Sequence, residues 1–117
     1  MKKVYYLATC DTNKRILKEL NIGNDFIKRE IKSSPITPAE LDEMKKFSGS
    51  YVALFSKRSR KYKELALKDK ILSEQDTREL ILKEYTFLKR PVFIIDQAIF
   101  IGNEKKTIEA IRDVLSE

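Results

Sequence analysis

The spacing of apolar positions changes character several times along the chain. Val4-Tyr5-Tyr6-Leu7-Ala8 is a continuous β-branched and aromatic run with the length of a buried strand. Cys10-Asp11-Thr12-Asn13 follows, with residue types that suit a helix N-terminus and an aspartate where negative charge favours the helix dipole. Ile16, Leu17 and Leu20 then recur at helical spacing, and Asn21-Ile22-Gly23-Asn24 predicts a glycine-containing C-cap. Phe26 to Ile31 reads as a second strand, with Ile27, Arg29 and Ile31 on one face and Phe26, Lys28 and Glu30 on the other. Faces so mixed predict an edge position. Strand, helix and strand at this spacing form a βαβ unit, which implies parallel strands and a right-handed crossover.

A loop at Ser33-Ser34-Pro35-Ile36 opens a region of different period. Thr37-Pro38-Ala39-Glu40 combines a capping threonine, proline at the first helical position and glutamate three residues after the cap. Leu41, Met44 and Phe47 supply that helix with an apolar face, and Ser48-Gly49-Ser50 stops it. Tyr51 to Phe55 predicts another helical stretch, followed by Tyr62, Leu65 and Ala66. Ser73-Glu74-Gln75-Asp76 starts a further helix that carries Ile81, Tyr85 and Leu88 at i, i+4 and i+7. Residues 37–88 therefore read as helix and turn throughout. Strand pattern returns at Arg90-Pro91-Val92-Phe93-Ile94-Ile95, breaks at Asp96-Gln97, and resumes at Ala98-Ile99-Phe100-Ile101 before Gly102-Asn103. Two runs this close predict an antiparallel hairpin. Thr107 to Leu115 closes the order as a helix with Ile108, Ile111, Val114 and Leu115 inward. The whole is one α/β domain over 1–117, with a βαβ–ββα mixed sheet from 1–36 and 89–117 and an all-helical insertion at 37–88.

Composition narrows the chemistry more than it changes this picture. The 117 residues include 35 Leu, Ile, Val and Phe, enough for one core and too many for a disordered chain. The longest apolar runs fall well short of the ~20 residues that cross a bilayer. No basic-then-apolar leader precedes a cleavage site, so a soluble, cytoplasmic protein is expected. There is no histidine, which excludes Ser-His-Asp and Cys-His nucleophile pairs within the chain. One cysteine and no histidine also cannot supply the four N or S ligands of a structural zinc site, so no metal is expected. A lone cysteine makes no internal disulfide, and any redox cycle needs an external thiol. The formal net charge is +6, and residues 57–70 hold seven Lys or Arg against Glu64 and Asp69. The excess is one local patch, suited to an acidic partner or an anion; a solvated helix face carries the same pattern.

Cys10 is the strongest chemical candidate. A thiol at a helix N-terminus meets unpaired backbone N–H groups and the positive end of the dipole, which favour thiolate and can hold an oxyanion. Asp11 opposes that ionisation, so the activation expected is modest. The bland alternative is a small buried hydrophobe. Arg90, before Pro91, is the second candidate, since a guanidinium fork suits a tetrahedral anion; its alternative is a surface ion pair.

The segment Tyr6-Leu7-Ala8-Thr9-Cys10-Asp11-Thr12, with Leu88-Lys89-Arg90-Pro91-Val92 and Ile99-Phe100-Ile101-Gly102, resembles the arsenate reductase (ArsC) family and its relative, the Spx family of transcriptional regulators. The resemblance covers essentially the whole chain. It implies a thioredoxin-like, glutaredoxin-like fold with the helices inserted between its two halves. It implies a cis peptide bond at Pro91, Cys10 as the catalytic thiol, and oxyanion binding by Arg90, Arg58 and Thr12. It further implies no bound cofactor and an external thiol, glutathione with glutaredoxin or thioredoxin, as electron donor. Alignment to the reductase pattern places the family's helical-insert arginine at Ser56, whereas an Arg-Ser pair like that of Spx selects Arg58-Ser59. The third family arginine falls at Gly102. Spx proteins carry a Cys-x-x-Cys pair, and position 13 here is Asn13, so that disulfide switch is missing.

Two functions follow as expectations. One is a single-thiol, arsenate reductase-like oxidoreductase acting on an oxyanion or a mixed disulfide through Cys10. The alternative is an Spx-like regulator that docks on the RNA polymerase alpha subunit through the basic residues of 57–63. The patch lacks interleaved aromatics apart from Tyr62, so direct sequence-specific DNA reading is not expected. A monomer without membrane contact completes the expectation.

Overall fold

Val4 and Tyr5 are buried in the middle of the first strand, and everything that positions the site is built around that strand. A computed structural model describes residues 1–117. Its elements are β1 (Lys2–Tyr6), α1 (Asp11–Glu19), β2 (Ile27–Glu30), α2 (Pro38–Ser48), α3 (Arg60–Glu64), α4 (Glu74–Lys83), β3 (Val92–Ile95), β4 (Ala98–Ile101) and α5 (Lys105–Leu115). Single 3-10 turns lie at Val52–Leu54, Leu67–Asp69 and Tyr85–Phe87. Two compact units result: Met1–Ser34 with Arg90–Glu117, and Pro35–Lys89.

The sheet unit has strand order β2-β1-β3-β4. β1 and β2 are parallel, with Val4 opposite Lys28 and Tyr6 opposite Glu30. β1 and β3 are antiparallel, with Tyr5 opposite Val92, and β3 and β4 form the antiparallel hairpin, with Ile94 opposite Ile99. Every residue of β3 is buried, as the unbroken apolar run Val92–Ile95 requires of a central strand. On one face Val4, Phe93 and Ile95 meet Ile16 and Leu20 of α1, Ile108 and Ile111 of α5, and Phe26. The Phe26 and Phe93 rings pack edge-on with centroids 5.9 Å apart. β2 lies at the edge, as its mixed faces predict, and Ile27 is exposed there.

The helical unit buries Leu41 and Met44 of α2, Ile81 of α4, and Leu54, Phe55, Phe87 and Leu88 from the intervening turns. Phe55 and Phe87 stack with centroids 5.1 Å apart. Both capping boxes are formed. Thr37 Oγ1 accepts the Glu40 N–H while Glu40 accepts the Thr37 N–H, and Ser73 and Asp76 repeat the exchange at α4.

Several local expectations are corrected. β1 ends at Tyr6 and not at Ala8, because the N–H groups of Leu7 and Ala8 bond to side chains in place of a strand ladder. The left-handed residue beyond α1 is Asn21 (φ 55), not Gly23; asparagine tolerates that conformation nearly as well. Tyr51 to Phe55 makes a single 3-10 turn, and Phe55 then forms an isolated antiparallel bridge with Leu88. α4 ends at Lys83, since Glu84 adopts an extended backbone, so Tyr85 and Leu88 lie beyond it. The hairpin turn works without glycine because Asp96 takes the left-handed conformation (φ 56) and its carboxylate pairs with the N-terminal ammonium at 2.9 Å.

Candidate active site

The N-terminal end of α1 is built from three segments brought to one end of the sheet. Cys10 is the N-cap residue, in extended conformation (φ −93, ψ 114), and no side chain caps the helix. Its carbonyl accepts the Lys14 N–H at 3.0 Å, so the first helical bond begins at that residue. The N–H groups of Asp11, Thr12 and Asn13 therefore have no partner within the helix. Cys10 itself is partly exposed, and Asp11 lies in the first turn. A partly exposed thiol at such a terminus is reachable from solvent and lies at the end of a helix whose first amides have no intrahelical partner.

The turn before Cys10 is tied on both sides. The Cys10 N–H donates to the Leu7 carbonyl at 3.2 Å. The Leu7 N–H donates to Oδ1 of Asn13 at 2.9 Å, and Asn13 is 1% exposed. The Ala8 N–H donates to Oε2 of Glu30 at 2.9 Å. Glu30 is the last residue of β2, and its other oxygen accepts the N–H groups of Lys32 and Ser33 and the Ser33 hydroxyl. The amides of Ser33 and Ala8 hold its carboxyl below the usual carboxylate range. Neither Asn13 nor Glu30 stands out in the sequence as an acceptor for this turn. The available signal for Asn13 was its place on the apolar face of α1, at i, i+3 and i+7 with Ile16 and Leu20. A polar side chain there is buried and must find a partner.

The third segment enters β3. Because Tyr5 of β1 pairs with Val92, the chain leaving β1 runs beside the chain entering β3. Arg90-Pro91 and the Cys10 turn thus occupy the same end of the sheet. The Arg90–Pro91 bond is cis, Pro91 is buried, and the Pro91 carbonyl accepts the Gly102 N–H at 2.9 Å. The Arg90 side chain is half-buried. Gly102 has φ 88, so the position aligned with a third arginine sits in backbone that any β-carbon would strain.

Arg58 belongs to the helical unit. It is exposed, and its N–H donates to Ser56 Oγ at 3.3 Å. Next to it, Ser59 is buried: its hydroxyl caps α3 by accepting the Lys61 N–H and lies 2.7 Å from the Thr86 hydroxyl. The cations of residues 57–70 are exposed, and one of them, Lys61, pairs with Glu64 at 3.2 Å. No cluster of three or more His, Cys, Asp or Glu side chains is placed to hold a metal ion. No helix is long and apolar enough to cross a membrane.

The sequence profile of the ArsC family matches residues 5–111, which span the turn around Cys10, the helical unit and the hairpin. The chain belongs to the ArsC family. Among solved structures, an arsenate reductase from Vibrio cholerae superposes with a TM-score of 0.78 at 18% identity, covering 97% of this chain and 96% of that one. An arsenate reductase (ArsC) related protein from Brucella melitensis gives 0.70 at 23% identity, with 93% and 92% covered. A Staphylococcus aureus protein gives 0.71 at 24%, with 94% and 97% covered. At these identities the likeness establishes the fold, and the fold of this ArsC-family chain is thioredoxin-like with an α-helical insertion. Comparison with the curated proteins finds no match.

Proposed function

We propose that this ArsC-family chain is a thiol-dependent reductase, working as one ArsC-type domain, that attacks an oxyanion such as arsenate through Cys10. The observation that carries the reading is the partly exposed Cys10 thiol at an α1 terminus whose first amides have no intrahelical partner. In this reading the N–H groups of Asp11 and Thr12 and the Thr12 hydroxyl hold the anion, while Arg90 offsets its charge. The Cys10 sulfur bonds to arsenic as one arsenate oxygen leaves as water. An external thiol then attacks that sulfur, forming a mixed disulfide, and the electron pair of the S–As bond stays on arsenic as arsenite. A second external thiol reduces the mixed disulfide and restores Cys10. Glutathione with glutaredoxin, or thioredoxin, suits the donor role, because the chain has no second cysteine. A glutathione mixed disulfide is an alternative substrate for the same thiol.

The test is the rate of Cys10 alkylation at neutral pH, with and without arsenate or phosphate, together with arsenite formation in the presence of glutathione and glutaredoxin. The oxyanion is expected to protect Cys10, and Cys10→Ser to abolish turnover. Alkylation unchanged by the oxyanions, with no turnover, would defeat the reading.

The exposed cations at 57–63 favour a second reading, an Spx-like protein that docks on the RNA polymerase alpha subunit without a Cys-x-x-Cys switch. Retention on immobilised alpha subunit that survives Cys10→Ser but fails for the Arg58→Glu, Arg60→Glu double variant would favour it over the reductase.

A further inference from the structure

We propose that Glu30 is a positioning residue that fixes the turn presenting Cys10. The inference rests on the reading of Cys10 as the reacting group. One carboxylate joins two segments far apart in sequence. Oε2 accepts the Ala8 N–H at 2.9 Å, in the turn after β1. Oε1 accepts the Lys32 N–H at 3.1 Å, the Ser33 N–H at 2.8 Å and the Ser33 hydroxyl at 2.8 Å, in the turn after β2. The register places Glu30 opposite Tyr6, so the carboxylate stands beside the first residues to leave β1.

The adjacent amide is captured separately. Leu7 donates to Asn13 Oδ1 from within α1, and Cys10 donates back to the Leu7 carbonyl. The peptide planes at Leu7, Ala8 and Cys10 are thereby each held by a hydrogen bond, two of them to side-chain oxygens. Asn13 ties the turn to its own helix, whereas Glu30 ties it to the neighbouring strand. With the Glu30 bond removed, the Ala8 amide is free to rotate, and the turn that carries Cys10 to the start of α1 loses its tie to β2.

Four donors converge on the carboxylate, and only an ionised carboxylate has acceptor capacity for all of them on two oxygens. A glutamine at this place offers one oxygen and turns an NH2 toward backbone N–H groups, so Glu30→Gln breaks one side of the tie while keeping size. Glu30→Asp keeps the charge but is one methylene too short to span both turns.

Two readouts separate positioning from charge and from folding. The first is hydrogen exchange at the Ala8 amide, compared between wild type, Glu30→Gln and Glu30→Asp by NMR. The expected loss of protection is about tenfold, the scale of one charge-assisted hydrogen bond. The second is the alkylation rate of Cys10 at neutral pH. Removing a nearby negative charge would by itself speed alkylation. Loss of the fixed turn slows it. Slower alkylation in both variants, by about threefold or more, is the expected result. Faster alkylation in Glu30→Gln, or wild-type exchange and alkylation in Glu30→Asp, overturns the proposal. Should Glu30→Gln fail to fold, the charge-retaining Glu30→Asp decides alone. A wild type with neither oxyanion protection nor turnover would fell the reductase reading instead, and exchange at the Ala8 amide would still decide the role of Glu30.

Discussion

Each of the two units has its own internal cohesion, and the physics differs between them. The sheet unit joins segments distant in sequence through strand ladders and one apolar cluster, in which Val4, Phe93, Ile16 and Ile111 come from four separate elements. The helical unit buries apolar side chains too, but its segments share no ladder beyond the Phe55–Leu88 bridge. Its joints are local caps and a few polar cross-links. The Tyr51 N–H donates to Glu74, and Asp42 of α2 accepts both the Tyr51 hydroxyl and the Arg78 guanidinium of α4. Chemistry follows the same division. The sheet unit carries Cys10 after a turn whose amides are held by the side chains of Asn13 and Glu30, and the helical unit carries exposed cations.

The largest effect is expected where the sheet unit's cluster is opened. Phe93 is fully buried on a strand with neighbours on either side, so its cavity has little room to collapse. Phe93→Ala should cost about 3–5 kcal/mol in urea or thermal unfolding. A cost below 1 kcal/mol would mean the cluster is not what holds the sheet to α1 and α5. The helical unit should instead respond to single polar atoms near its helix starts. Thr37→Ala and Ser73→Ala each remove a capping box and should each cost about 1 kcal/mol in the same assay. Because the two boxes share no partner, their effects should add. Strong non-additivity would show that the helical unit is coupled as tightly as the sheet.

What the sequence discloses divides along the same line. Thr37-Pro38-Ala39-Glu40 and Ser73-Glu74-Gln75-Asp76 are legible because donor and acceptor lie within one turn of each other. The strands are legible because buried runs such as Val92–Ile95 have no polar break, and the parallel β1–β2 pairing follows from the helix between them. The place of Cys10 at the start of α1 is legible from the strand before it, and the cis bond at Pro91 from the family likeness. The bonds from Leu7 to Asn13 and from Ala8 to Glu30 are not legible, since each partner is chosen by the fold and not by spacing. The true end of α1 is hidden because both Asn21 and Gly23 tolerate the left-handed backbone. The end of α4 is hidden because the 3-10 turn at Tyr85–Phe87 continues an apolar period close to that of the helix.

The smallest expected effect tests the polar joint of the helical unit without disturbing its caps. The Arg78 guanidinium, 2.8 Å from Asp42, and the Tyr51 hydroxyl hold the Asp42 carboxyl down to about 2. In the unfolded chain it titrates near the ordinary aspartate value of ~3.9. A carboxylate whose pKa is lower when folded stabilises the fold at every pH above its unfolded value, and that contribution disappears as acid protonates the folded form. Asp42 is half exposed, so solvent screens much of the interaction and the contribution is small. Wild type should therefore have a higher melting temperature than Asp42→Asn at pH 6, and the gap should close as pH falls from about 4 to about 2. Glu30, Asp76 and Asp96 are also held below their usual range, so both proteins lose stability in acid and only the difference between them reports on Asp42. Curves that remain parallel down to pH 2 would mean that Asp42 does not join α2 to α4, leaving the caps and buried apolar side chains to hold the helical unit alone.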